Sequence, residues 1–249
     1  MTGRRLTLVT GGTRGIGAAT ALRLARDGHD LVLGHARDDR AAEEARLAVE
    51  EAGARCVTVR ADLTDPEGVD RLFAAAGELG LLTGVVNNAG ATLHLGRLAE
   101  TPVEVVAVTV DLNLTAALLV ARAAVRTLGT SYGGQGGVLV NVSSGAATLG
   151  APGEYVQYAA AKAGVDAMTV GLAQEVAGDG VRVVGVAPGI GRTTIHAEAG
   201  EPGRVDRVGP LVPLGRAGEP HEVADAIAWL MSDEASYVTG TTLRVAGGR

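Results

Sequence analysis

Tyr158 and Lys162 stand four residues apart in a segment of helical pattern, so one turn of helix brings a phenol and an ammonium to the same face. An ammonium beside a phenol favours the phenolate, which predicts a pKa drawn from about 10 toward neutrality. Such a pair suits carbonyl reduction, where hydride delivery creates an alkoxide that Tyr158 can protonate. Ser144 closes an apolar strand pattern, where its hydroxyl can steady charge on a substrate oxygen. Asn113 interrupts an otherwise apolar helical pattern of Val106, Val110, Leu114 and Leu118, against helix propensity. It could hold a water that passes protons to Lys162. Taken singly, these are a surface tyrosine, a solvated lysine, a strand-ending serine and a locally satisfied asparagine; together they read as a proton relay. Tyr155 is the rival acid, three residues before Tyr158, but position 159 is alanine and gives it no lysine one turn on. Ser143 rivals Ser144, and strand alternation sends only one of the two to the pocket.

A second constellation lies near the N-terminus. Thr10-Gly11-Gly12-Thr13-Arg14-Gly15-Ile16-Gly17 joins an apolar run to a helical pattern, with Gly11, Gly15 and Gly17 in GxxxGxG spacing. Bare glycines let backbone N–H groups and a helix N-terminus approach a pyrophosphate. No Gly-Lys-Ser/Thr follows, so the loop is not a P-loop. The next strand ends Leu33-Gly34-His35-Ala36-Arg37 without an acid at its tip for the adenosine ribose. Arg14 and Arg37 instead suit a 2′-phosphate, which predicts NADP(H) over NAD(H). Asp38 or Asp39 would reverse that preference if the turn is tight enough to bring either to the ribose. Asp62 is expected to meet the adenine amino group or to cap a helix. Asn87 is expected to tie strand edges while Ala89 and Gly90 leave the cofactor room.

The elements that must hold these residues follow from periodicity. Apolar runs at 6–10, 31–33, 56–59, 85–86, 138–140, 181–186 and 242–245 predict seven strands. Helical patterns at 16–24, 40–51, 67–76, 102–125, 155–176 and 219–231 alternate with them. The pattern predicts an α/β fold of three layers: a doubly wound, seven-stranded parallel sheet of Rossmann type in one domain spanning 1–249. Residues 191–218 carry Gly, Pro and charge without a clear period and predict an excursion over a ligand.

Composition narrows the function classes. The 249 residues carry a net charge of −6 without a basic run, which argues against nucleic acid. One cysteine, Cys56, and five histidines show no metal-ligand spacing, so no metal is expected. Neither a signal peptide nor a membrane span is expected at the N-terminus, and a soluble, cytoplasmic protein made at full length is.

These motifs, in this order, resemble the short-chain dehydrogenases/reductases essentially end to end, and most closely the bacterial 3-oxoacyl-carrier-protein reductases and glucose 1-dehydrogenases. The resemblance implies cofactor glycines at Gly11, Gly15 and Gly17, the NNAG segment at Asn87-Asn88-Ala89-Gly90, and a tetrad of Asn113, Ser144, Tyr158 and Lys162. It further implies cofactor contacts from Thr13, Ile16, Leu63, Pro188, Gly189 and Thr193, and a nicotinamide ribose held by Tyr158 and Lys162. Arg14 and Arg37 resemble the basic residues of NADP-preferring members. A homotetramer, or a dimer, is implied, with Ala116, Ala117, Ala159, Ala160 and Ala163 either pairing helices between copies or packing internally. Two departures stand out. The Ser144 to Tyr158 interval is one residue longer than the commonest spacing, within 153–157, and Ala246 stands where an aspartate is usual. A flap at 190–216 is expected to cover a small carbonyl or alcohol substrate, with Thr194, Ile195, His196, Leu211, Ala91, Thr92 and His94 as candidate contacts and both histidines equally readable as solvated.

Overall fold

A computed structural model describes residues 4–249. Seven strands, β1 (Arg5–Val9), β2 (His29–His35), β3 (Cys56–Arg60), β4 (Leu82–Asn87), β5 (Gly137–Val142), β6 (Val181–Pro188) and β7 (Thr242–Val245), form one sheet in the order β3-β2-β1-β4-β5-β6-β7. Every pairing is parallel. The larger helices are α1 (Gly15–Arg26), α2 (Asp39–Glu51), α3 (Pro66–Leu79), α4 (Val103–Val110) and α5 (Ala116–Leu128). After them come α6 (Ala146–Leu149), α7 (Val156–Val176), α8 (Ile195–Glu198), α9 (Arg204–Val208) and α10 (Pro220–Met231).

The sheet has a core on each face, as near-continuous Val and Leu strands require. On one face Ala21 and Leu24 of α1, Val49 of α2 and Ile227 of α10 cover Val9, Leu33, Val140 and Val184. On the other, Leu72 of α3, Val120 and Leu128 of α5 and Val176 of α7 cover Leu8, Val85, Leu139 and Val183. This is the Rossmann-type α/β fold the sequence predicts. Chain order reverses at β1, whose neighbours are β2 and β4, and a crevice opens at the strand carboxyl ends at such a switch point.

Two features differ from the sequence reading, and a third resolves an open choice. The helix expected over 102–125 is interrupted by a π-helical turn, Asp111–Thr115, centred on Asn113. Its polar side chain is fully buried and bonded outside the helix, so the ladder widens by one residue to let it out. The segment 191–218, aperiodic in sequence, contains α8 and α9. Ala116, Ala117 and Ala159 pack internally, whereas Ala160 and Ala163 are exposed. The run Val103–Leu128 is long and apolar enough to cross a membrane, yet α5 buries one side against the sheet.

Candidate active site

A cleft of about 1260 Å³ runs along the carboxyl ends of the strands, from the glycine loop to the start of α7. The loop is built without side chains for a reason. Gly11 has φ +59°, and a Cβ there would meet Ala89 Cα at 3.2 Å. A Cβ on Gly17 would lie 2.0 Å from Gly11 O, so loop and α1 close only as glycine. Arg14 at the N-cap of α1 makes no capping bond and the first turn holds no acid, which leaves its N–H groups to an anion. This bare, positively polarised cradle fits the diphosphate of a dinucleotide. Gly11, Thr13, Arg14, Gly15, Ile16, Gly17, Arg37, Asp62, Leu63, Ala89, Gly90, Pro188, Gly189 and Thr193 all line the cleft.

Sequence reasoning missed two supports of this loop. Asn88 Nδ2 donates to Thr10 O at 2.9 Å and Gly11 O at 3.1 Å, while Thr10 Oγ1 accepts from the N–H groups of Asn88 and Ala89. Asn87 lies behind the cleft, donating to Ala117 O and Asn141 Oδ1, and so joins β4 to β5 and α5. Asp62 does not cap a helix, because Oδ1 accepts from both N and Oγ1 of Thr64, and the cap of α3 is Asp65. Asp38 caps α2 by accepting from Ala41 N at 3.0 Å, and Asp39 faces Arg60 at 3.7 Å. Arg14 is already paired, with Glu198 of α8 at 2.8 Å.

At the other end of the cleft, Ser144, Tyr158 and Lys162 converge. The α7 helix places Tyr158 and Lys162 one turn apart, and the Lys162 ammonium lies 5.8 Å from the Tyr158 ring centre. Lys162 Nζ donates to Val142 O at 2.9 Å, which ties it to the end of β5. Asn113 donates to Ala91 O and Thr109 O and accepts from Ala91 N, bracing the chain after β4. A Cβ on Gly90 would lie 2.6 Å from Asn113 Oδ1 and 3.3 Å from Lys162 Nζ, so a bare Cα separates these groups. Ser143 and Ser144 differ in their partners: Ser143 donates to Lys162 O at 3.2 Å, and Ser144 lies near enough to the Tyr158 phenol to lower its pKa.

The electrostatics correct one expectation. Burial pushes the Tyr158 phenol up to about 12, the Ser144 hydrogen bond opposing and Tyr155 adding to the rise. Burial also draws Lys162 down to about 8, with Asp166 opposing. Desolvation therefore governs the phenol, which is not brought toward neutrality.

The longer Ser144 to Tyr158 interval leaves these two side chains in contact and instead shapes the wall, where Ala151 (φ +46°) bends the chain before Tyr155. Tyr155 stands edge-on to Tyr158 with ring centres 5.5 Å apart. Ala246 packs against Gly189, where an added Cβ would lie 2.8 Å from Ala246 Cβ. Of the expected substrate contacts, Ala91, Thr92, Thr194, Ile195 and His196 line the cleft, whereas His94 and Leu211 do not. Leu211 is exposed, and His94 packs beside Gly96. His196 is buried rather than solvated, and burial with Arg204 nearby draws its pKa down to about 4. Among the described residues no group of three His, Cys, Asp or Glu side chains could hold a metal ion.

The family model described as enoyl-(acyl carrier protein) reductase matches residues 11–249. An uncharacterized oxidoreductase, YgfF, of Escherichia coli (strain K12) is 44% identical over 98% of this chain and 99% of its own length. The 3beta-hydroxysteroid dehydrogenase 1 of Eggerthella lenta is 40% identical over 97% of this chain and 92% of its own. Among solved structures, 3-ketoacyl-(acyl-carrier-protein) reductase from Brucella melitensis, complexed with NADH, superposes with a TM-score of 0.91 at 29% identity, covering 100% of this chain and 99% of that one. With the sheet order, the glycine cradle and the Ser144, Tyr158 and Lys162 cluster, these likenesses identify an oxidoreductase that belongs to the short-chain dehydrogenase/reductase family.

Proposed function

We propose that the chain reduces a substrate carbonyl to a secondary alcohol, with NADPH as cofactor and Tyr158 as proton donor. The observation that carries this reading is the convergence of Ser144, Tyr158 and Lys162 at the end of the cleft that starts at the glycine loop. NADPH, when bound, supplies the hydride. Gly11, Thr13, Arg14, Gly15, Ile16 and Gly17 would hold its diphosphate, with Arg37, Asp62 and Leu63 toward the adenosine. Ala89, Gly90, Pro188, Gly189, Thr193, Tyr158 and Lys162 would hold the nicotinamide half, and Asn87 supports the β4 end behind it. Tyr158 remains a protonated phenol at neutral pH because it is buried, which suits a donor. Ser144 orients that phenol and supplies a hydroxyl to the substrate oxygen. Lys162, fixed on Val142 O, gives the alkoxide end a positive neighbour, and Asn113 braces Ala91 beside it.

NADP(H) is favoured because Arg37 lines the cleft beside the end of β2, while Asp38, which also lines it, gives Oδ1 to the α2 cap and Asp39 turns to Arg60. The second reading, NAD(H) working with an alcohol in the oxidative direction, is favoured by the Arg14 ion pair with Glu198, which occupies one of the two candidate phosphate ligands. A fluorescence titration with NADPH and NADH separates them. NADPH is expected to bind at least about tenfold more tightly, the worth of one charge-assisted hydrogen bond. Equal constants, or tighter NADH, would overturn the cofactor half of the proposal.

A homotetramer is part of the same reading. Val103, Val108 and Leu118 on α4 and α5, and Ala160, Ala163 and Val170 on α7, leave apolar surface exposed on the same flank of the molecule.

A further inference from the structure

The flap end of the cleft holds a charge cluster for which the reduction chemistry has no use. Arg204, on α9, is 2% exposed. Its guanidinium forks onto Glu154, with Nη1 to Oε1 at 2.8 Å and Nη2 to Oε2 at 2.5 Å, and donates to Glu201 Oε2 at 3.1 Å. It also lies over the Tyr155 ring, 5.2 Å from its centre, and Nη2 donates to Tyr155 Oη at 3.0 Å. Glu154 stands in the stretch that is one residue longer than the family's commonest spacing. Desolvating a guanidinium and a carboxylate is costly unless each finds good partners, and here a bidentate pair supplies them.

What the cluster fixes at the cleft surface is Tyr155. Its ring is clamped between Arg204 and the edge of Tyr158, at 88° to the latter. Its oxygen accepts from Arg204, so its own O–H is left to donate, and it finds no acceptor among the described residues. Both phenols line the cleft, together with Leu149, Ala151, Ile190 and Ile195. Arg204 and Arg207 are balanced by Glu154 and Glu201, so the clamp offers a neutral donor rather than a net positive charge.

We propose that Tyr155 binds a second, uncharged oxygen of the substrate, that Arg204 and Glu154 are the positioning residues that aim it, and that the substrate class is a hydroxyketone or diketone with an apolar body. This rests on the reading of Tyr158 as proton donor to the reacting carbonyl. Tyr158 and Ser144 take the oxygen that is reduced; Tyr155, on the flap side, takes the oxygen that is kept. A hydrogen bond of this kind discriminates strongly because its loss leaves a buried donor unpaired.

The test pairs butanone and cyclohexanone each with the hydroxyketone and the diketone of the same skeleton. It reads the ratio of kcat/KM, bifunctional over parent, in wild type, Tyr155→Phe and Arg204→Lys. A second carbonyl activates the first chemically, so the diagnostic quantity is the change of that ratio on substitution. Tyr155→Phe keeps the ring in its clamp and is expected to lower the ratio about tenfold for at least one skeleton, with the loss carried mainly by KM. Arg204→Lys keeps the charge but not the fork and is expected to lower it in the same direction. A ratio unchanged in both variants overturns the assignment of Tyr155 and leaves the carbonyl reading standing. Wild-type protein that turns over none of the six ketones with either cofactor overturns the carbonyl reading itself, and this inference with it.

Discussion

Tyr158 illustrates how one residue's chemistry is set by its surroundings rather than by its neighbour in sequence. The Tyr-x-x-x-Lys spacing places the ammonium one turn away, but both groups are buried, and desolvation is the largest influence on each. A phenol held near 12 is a proton donor throughout the neutral range, and in the proposed reaction it gives that proton up only as negative charge grows on the substrate oxygen. The identity of Tyr158, Lys162, Ser144 and Asn113 was legible because each breaks a local pattern: a polar residue in an apolar helix, a hydroxyl at a strand end, a charge at helical spacing. Burial at this site was not legible, because it comes from how Ala146, Ala151 and Tyr155 pack around Tyr158, with Leu95 brought in from the chain after β4.

At the scale of elements, strand and helix order could be read to within a few residues, since the Val-rich runs and helical periods agree with their final burial. The π turn could not, because its cause is a tertiary bond from Asn113 to Ala91, 22 residues earlier. The joint between β1 and β2 carries a testable consequence. His29 starts β2, buried, with Nδ1 paired to Thr7 Oγ1 at 2.8 Å, and burial draws its pKa from 6.5 to about 4. The fold therefore keeps this imidazole neutral while the unfolded chain takes up a proton near 6.5. Its contribution is fully present above about pH 6.5, decreases as pH falls, and is gone below about 4, a loss of roughly 3 kcal/mol. Denaturant melts across that window should show this acid slope, and His29→Gln should flatten it; a slope unchanged in the variant would place the acid sensitivity elsewhere, for instance at His196.

At the scale of the whole molecule, the switch point between β2 and β4 opens the cleft, and the flap crosses it through pairs remote in sequence. Arg14 reaches Glu198 and Glu154 reaches Arg204, 184 and 50 residues away, with no periodicity to announce either. Glu198 and Arg204 are therefore legible in the sequence only as opposing charges on the flap, not as partners of Arg14 and Glu154. The apolar flank of α4, α5 and α7 also belongs to this scale. Light scattering on the wild-type protein is expected to show a tetramer, and Val108→Glu with Leu118→Glu a smaller species with unchanged circular dichroism. A monomer in both would remove the assembly from the proposal.

In the proposed nicotinamide-dependent carbonyl reduction, the proton comes from Tyr158 rather than Tyr155. The most direct test of this assignment follows the oxidation of NADPH, and of NADH, in the presence of a ketone panel by wild type, Tyr158→Phe and Tyr155→Phe. Tyr158→Phe should lose about 10²–10⁴-fold in kcat, as expected for a general acid, while Tyr155→Phe retains turnover. A Tyr158→Phe protein that works at the wild-type rate, or a Tyr155→Phe protein that is the inactive one, would contradict it.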